Sequence, residues 1–109
     1  MKFEFSPHIA IQVGDYENAC QFYENVLGFE LKEKKKSENH YVKDTMNFYI
    51  EDSPKQNTFF EFKVESVKLA KEHLLENGCE VTQVFNDKSV MIKDPFGMRF
   101  HIWEEGAQF

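Results

Sequence analysis

The sequence predicts an α+β fold made of two tandem βαβββ modules. Several short segments alternate apolar and polar residues, and two longer segments show the apolar period of a helix and end at a glycine. The same order of segments occurs twice. Positions 8 and 59, 28 and 78, and 46 and 98 correspond, so the offset stays between 50 and 52 residues. Such a constant offset indicates an internal repeat.

The first predicted module covers residues 1–52. Its opening strand is HIAIQV at residues 8–13, where apolar and more polar positions alternate. Asp15 is the predicted N-cap of the helix because its carboxylate can accept from first-turn amides. Gly28 is the predicted end, since glycine adopts the left-handed conformation at least cost. Two short strands at 29–33 and 40–45 and a closing strand MNFYIE at 46–51 complete the module.

The second predicted module covers residues 57–109 and repeats this order. Its opening strand is 59–64, Ser66 is the predicted N-cap and Gly78 the predicted end of the helix. Strands at 79–85 and 89–93 follow, and MRFHIW at 98–103 closes the module. Residues 53–56 are a turn-rich linker between the two modules. We expect the modules to form one domain over residues 1–109.

The two helices have predicted apolar faces that pack on the sheets. In the first helix this face consists of Tyr16, Ala19, Phe22, Tyr23, Val26 and Leu27, and in the second of Val67, Leu69, Ala70 and Leu74. His40, near a hairpin, and His73, on the second helix, are expected to be structural or solvated.

The amino-acid composition limits the kinds of molecule that the protein can bind. Nineteen acidic and thirteen basic residues give a formal net charge of -6, which repels nucleic acid and anionic membranes. Cys20 and Cys79 lack the spacing of a zinc or redox motif and are expected to be reduced. The first residues show no apolar signal-peptide core, and no run of 18 apolar residues occurs. We therefore expect a cytoplasmic protein with neither a nucleic-acid nor a membrane partner.

The sequence resembles the vicinal oxygen chelate superfamily, which includes glyoxalase I, bleomycin and fosfomycin resistance proteins and extradiol dioxygenases. Two stretches carry the resemblance, HIAIQVGDYENACQFYENVLGFEL at residues 8–31 and DPFGMRFHIWE at residues 94–104. The resemblance extends over nearly the whole chain. It implies a half-open mixed β-barrel with helices outside and a ligand cavity inside, the glyoxalase/bleomycin-resistance fold.

The resemblance also implies four metal-ligand positions, one on the first and one on the last strand of each module. In this chain they are His8, Tyr49, Phe59 and His101. Phe59 cannot bind a metal and Tyr49 is a poor ligand for Zn, Ni, Mn or Fe, which leaves His8 and His101 as candidate ligands. Catalytic metal sites generally have three protein ligands. The sequence thus favours no cofactor, with a divalent metal as the alternative.

Strand alternation, combined with the barrel that the resemblance implies, predicts the cavity wall. The predicted ligand-binding residues are aromatic or polar, and they are His8, Gln12, Asn47, Tyr49, Phe59, Glu61, Arg99, His101 and Trp103. Tyr49 and His101 occupy equivalent places in the repeats and could share a proton or bind a ligand oxygen. Together with Glu61 they are the candidate catalytic residues, and Glu51 is a second candidate base.

Two functions of different classes fit these residues. The favoured one is a metal-free small-molecule-binding protein of the bleomycin-resistance type, which holds an aromatic or amphipathic ligand in the barrel cavity. The alternative is a metal-dependent lyase, isomerase or dioxygenase of the glyoxalase type that uses His8 and His101. An interaction module is a third, weaker option, so the sequence leaves open whether the chain is an enzyme. We also expect a homodimer, because a half-open barrel leaves strand edges that a two-fold partner would cover.

Overall fold

The structure is a computed structural model that describes residues 1–107. In chain order its elements are β1 (Glu4–Phe5), β2 (His8–Val13), α1 (Tyr16–Asn25), β3 (Glu30–Lys34), β4 (Glu38–Lys43), β5 (Met46–Asp52), β6 (Thr58–Lys63), α2 (Val67–Glu76), β7 (Glu80–Asn86), β8 (Ser89–Lys93) and β9 (Arg99–Trp103). The predicted α+β class and both βαβββ repeats are therefore confirmed. The last two residues of the predicted second module lie outside the described residues.

The chain divides into two compact units. The N-terminal unit comprises residues 7–58, and the C-terminal unit comprises residues 1–6 together with the chain from Phe59 onward. The prediction had grouped residues 1–6 with the first module. They lie in the C-terminal unit because β1, a strand that the sequence did not predict, pairs with β6 through Glu4 and Lys63. The arrangement of both modules as one domain remains a prediction.

In the N-terminal unit the sheet has the strand order β3-β4-β5-β2. The chain returns through α1, so β2 and β5 pair in parallel, while β3, β4 and β5 are antiparallel neighbours. The core contains Cys20 of α1 with Tyr41 and Ile50 of the sheet, all buried. Side chains that alternate with Tyr41 and Ile50 consequently point to the face opposite α1.

In the C-terminal unit β6 and β9 pair in parallel, and β9, β8 and β7 follow as antiparallel neighbours. The core contains Val67 and Ala70 of α2 with Ile92, Phe100 and Ile102 of the sheet. Phe100 and Ile102 of the closing strand therefore face α2. Again the alternate residues face away from the helix.

The helix ends test the predicted caps. Ser66 is confirmed as the N-cap of α2, because its Oγ accepts from the Leu69 amide at 3.2 Å. The Asp15 prediction is half wrong: Asp15 is the N-cap residue of α1, but its carboxylate accepts from the nearby Asn18 side-chain amide at 2.8 Å rather than from the backbone. Gly78 has a φ of 90° and directly follows Asn77, the C-cap of α2, so its predicted place at the helix end is confirmed. Gly28 is also left-handed, with a φ of 73°, but α1 ends earlier, at Asn25 with Val26 as its C-cap, so the predicted end at Gly28 is wrong.

The apolar face predicted for α1 is wrong in its last turn. Phe22, Val26 and Leu27 are 49%, 65% and 45% exposed. The helix ends at Asn25, so the chain leaves the helical period before it can bring Val26 and Leu27 back to the sheet. On α2, Leu69 is likewise exposed while Val67 and Ala70 are buried. No helix within residues 1–107 is long and apolar enough to cross a membrane.

Candidate functional site

The N-terminal unit carries a cluster of three rings and one amide on the face opposite α1, which we call the imidazole–tyrosine cluster. It consists of His8 on β2, His40 on β4, and Asn47 and Tyr49 on β5. Strand register brings these residues together, because Tyr49 pairs with His40 across β4 and β5, and Asn47 pairs with His8 across β2 and β5. All four side chains are half-buried. The cluster is thus formed by β-sheet pairing alone.

The rings of the cluster are stacked and hydrogen-bonded. The His40 and Tyr49 rings are 4.6 Å apart with an interplanar angle of 13°. Asn47 donates its Nδ2 to the Pro7 carbonyl at 3.1 Å, so its Oδ1 is left to accept from His40 Nε2 at 2.8 Å. His8 Nδ1 lies 3.2 Å from the Tyr49 hydroxyl. These bonds fix the orientation of both imidazoles before any ligand arrives.

The cluster therefore presents a flat aromatic surface edged by polar groups. Stacked rings offer the face that planar ligands bind, and oriented imidazole and phenol groups offer hydrogen bonds of defined direction. His40 was predicted to be structural or solvated, so this contribution was missed. The alternation of Asn39, His40 and Tyr41 could have placed it on the ligand face, but only with the register of β4 against β5 known.

The C-terminal unit carries a carboxylate–imidazole–serine cluster made of Glu61 on β6, Ser89 on β8 and His101 on β9. Parallel pairing places Glu61 beside His101, and the two approach to 3.3 Å between Oε1 and Nδ1. Ser89 Oγ lies 2.5 Å from His101 Nε2. The Phe85 ring packs edge-on against the imidazole at 5.7 Å. A carboxylate at Nδ1 holds the proton there, so Nε2 accepts from the serine hydroxyl.

The order serine, histidine, carboxylate matches that of a hydrolytic triad, but the burial does not. Ser89 is 0% exposed and His101 is 9% exposed, so the hydroxyl has no open side for a substrate carbonyl. The cluster instead fixes the imidazole in one orientation. Ser89 was not predicted, because nothing in its local sequence distinguishes it from a strand-end serine.

The remaining predicted residues have partners within their own units. Both ends of the Gln12 side-chain amide form hydrogen bonds within the unit: Nε2 donates to Glu51 at 3.2 Å, and Oε1 accepts from the Asn57 backbone amide at 3.3 Å. Trp103 donates its Nε1 to Ser6 Oγ at 3.2 Å, and Lys63 Nζ lies 5.2 Å from the Trp103 ring centroid.

Phe59 and Arg99 are paired neighbours on β6 and β9, and both are half-buried. Tyr49 and His101 lie in different units, and each has hydrogen-bond partners in its own unit. The predicted sharing of a proton between them remains a prediction.

The side chains that could coordinate a metal ion show whether such an ion fits this site. Among residues 1–107 no group of three or more His, Cys, Asp or Glu side chains could hold a metal ion. Both ring nitrogens of His101 already have partners in Glu61 and Ser89. Catalytic metals need about three protein ligands, so the side chains present do not fit such a site.

A model of the Glyoxalase/Bleomycin resistance protein/Dioxygenase superfamily matches residues 6–102. This chain belongs to that superfamily. No curated protein matches the sequence.

Solved structures agree with this glyoxalase/bleomycin resistance/dioxygenase assignment at the level of the fold. A superfamily member from Vibrio splendidus 12B01 is 15% identical with a TM-score of 0.69, covering 95% of this chain and all (100%) of its own. Homoprotocatechuate 2,3-dioxygenases from Brevibacterium fuscum and Arthrobacter globiformis are 18% and 22% identical, with TM-scores of 0.72 and 0.71 over 95% of this chain. The present chain spans only 37% of each dioxygenase.

Proposed function

We propose that this chain is a small-molecule-binding protein of the glyoxalase/bleomycin-resistance type, which holds an aromatic or amphipathic ligand against the sheet faces opposite its helices, without a catalytic metal. The observation that carries the proposal is the stack of His40 on Tyr49, a half-buried aromatic surface that the apolar core does not use. A planar ligand would continue this stack, and His8 and Asn47 would direct its polar groups.

The C-terminal unit supports the same function. The opposite-helix face of its sheet carries Phe59 and Trp103 as apolar surface and Arg99 as a cation for an acidic substituent. Glu61 and Ser89 occupy both ring nitrogens of the His101 imidazole, so His101 would support the wall of the site rather than bind the ligand. Aromatic surface with few oriented polar groups is typical of small-molecule sites.

The metal-dependent enzyme is the second candidate function. It is favoured by the position of His8 and His101 at two of the four family ligand places. It is opposed because, among residues 1–107, no group of three or more His, Cys, Asp or Glu side chains could hold a metal ion. Glu61, Tyr49 and His101 would be its acid-base groups. Homodimerisation and a cytoplasmic location remain predictions alongside both functions.

Calorimetric titration with 3,4-dihydroxyphenylacetate tests the proposal, because the Brevibacterium fuscum dioxygenase was solved with this planar acid. We expect saturable binding, and at least tenfold weaker binding of cyclohexylacetate, which has no flat ring. Tyr49→Phe should weaken binding about three- to tenfold, the loss of roughly one hydrogen bond. Fluorescence quenching of Trp103, the single tryptophan, reports separately on binding at the C-terminal unit.

The matched control is His73→Gln, since His73 is an exposed histidine on α2 and should leave binding unchanged. Equal affinity for the flat and the saturated acid, or no saturable binding of either, contradicts the proposal. Metal analysis of protein purified without chelator separates the second candidate. A stoichiometric ion that is lost in both His8→Ala and His101→Ala would favour the enzyme.

A further inference from the structure

The helix side of the N-terminal unit contains a pocket of about 640 Å³, which we call the hairpin pocket. It lies among the start of α1, the β3–β4 hairpin and the end of β5, and Asn39 of β4 is part of its lining. Asn39 alternates with His40, so the pocket and the imidazole–tyrosine cluster are on opposite faces of the sheet. The pocket is therefore a separate candidate site.

A buried acceptor without a donor lines this pocket. Asn39 is 4% exposed, and its Nδ2 donates to the Tyr41 hydroxyl at 3.1 Å and to Cys20 Sγ at 3.6 Å. The Tyr41 hydroxyl gives its own proton to the Glu24 carboxylate at 2.7 Å. Its oxygen can then only accept, which fixes the Asn39 amide with the nitrogen toward Tyr41. The Asn39 Oδ1 is left buried and unpaired.

A second polar atom in the pocket is in the same condition. The hydroxyl of Tyr16, the first residue of α1, is buried beside the Cys20 thiol and has no hydrogen-bond partner of good geometry. Burial raises the pKa of Tyr16 to about 12, so the group stays a neutral hydroxyl at physiological pH. Buried polar groups in proteins are almost always satisfied. Two such atoms in one pocket indicate a polar occupant.

The charges around the pocket define what that occupant carries. The lysine run Lys34–Lys36 lines one part, and four carboxylates line the rest, those of Asp15, Glu17, Glu24 and Asp52. The carboxylates repel a polyanion and the lysines repel a polycation. The start of α1 carries the carboxylates of Asp15 and Glu17, so an anionic group of the occupant belongs at the lysine run instead. A pocket with both charge signs and an unpaired acceptor is complementary to a zwitterion, which carries one cationic and one anionic group.

We propose that the hairpin pocket binds a small zwitterion of the amino-acid class. Its protonated amine donates to Asn39 Oδ1, and its carboxylate lies at the lysine run. The site is independent of the aromatic ligand proposed above, because it uses other residues on the other face of the sheet.

Titration of the ¹⁵N-labelled full chain with L-alanine and 6-aminohexanoate, zwitterions of short and long charge separation, tests the site by the Asn39 side-chain amide resonances. Propionate and propylamine each carry one of the two charges. We expect saturable shifts with at least one zwitterion, about tenfold tighter than with either single-charge compound. Shifts that stay linear for both zwitterions, or that the single-charge compounds match, overturn the proposal and leave only water at Asn39.

Variants then locate the two ends of the ligand. Tyr16→Phe removes only the buried hydroxyl, and Lys36→Gln removes one exposed charge of the run. Each should weaken binding about three- to tenfold, whereas Lys32→Gln, a lysine outside the pocket that pairs with Glu30, should not. Retained dispersion of the backbone amide spectrum checks folding. Equal weakening by Lys32→Gln and Lys36→Gln would mean a general charge effect and would also overturn the proposal.

Discussion

Glu38 on β4 lies directly opposite Glu51 on β5. Glu38 is half-buried, and burial, with repulsion from Glu51, raises its pKa above the usual value. A carboxyl with a higher pKa in the folded than in the unfolded chain binds more protons when folded. Stability is therefore greater below its ordinary pKa and falls as the pH rises through the folded pKa.

Glu38→Gln should remove this penalty. We expect the free energy of unfolding to rise by about 0.5 kcal/mol at pH 7, because like charges opposed across strands cost about 0.2–1 kcal/mol. The gain should shrink below pH 4, where the wild-type carboxyl is protonated. Urea unfolding at both pH values measures it, with Glu72→Gln on the exposed face of α2 as the control. A gain that does not depend on pH would contradict the electrostatic cause.

The two helix starts give a paired prediction. Ser66→Ala should lower the free energy of unfolding by about 1 kcal/mol, because it removes the hydroxyl that accepts from the Leu69 amide. Asp15→Ala should cost less than half of that, since the Asp15 carboxylate bonds a side chain instead. Urea midpoints of the two variants decide this, and losses of equal size would show that Asp15 caps α1 after all.

The carboxylate–imidazole–serine cluster predicts one tautomer of His101. Nitrogen NMR should find the proton of the neutral imidazole on Nδ1, held by Glu61. Ser89→Ala should cost about 1–2 kcal/mol, because it leaves the buried Nε2 without its serine donor. Glu61→Gln should change the nitrogen shifts of His101 far more than those of His73. An Nε2-protonated ring in the wild type would refute this description of the cluster.

Much of the fold could be predicted because its determinants are local. Alternation in HIAIQV and MRFHIW identifies strands and their faces, and the glycine at position 78 marks the end of α2. The two-residue strand β1 could not be predicted, because its pairing with β6 depends on a contact distant in sequence. The side-chain choice of Asp15 between Asn18 and the backbone is a similarly small energy difference that propensity does not resolve.

The candidate site was predictable only in part. Alternation placed His8, Tyr49 and His101 on faces away from the helices, but not their partners. His40 and Ser89 became visible once the registers of β4 with β5 and of β8 with β9 were known. Register is set by pairing across the sheet, so single-strand patterns cannot supply it.

The pairing of Glu4 with Lys63 has a consequence for biosynthesis. During synthesis β1 leaves the ribosome before the N-terminal unit, yet the strand that β1 pairs with emerges only after that whole unit. Residues 7–58 are continuous and can begin to fold as they appear, whereas β1 stays unpaired until β6 emerges. The N-terminal unit is therefore the second to begin but the first to be complete, and the C-terminal unit closes around a strand made before it.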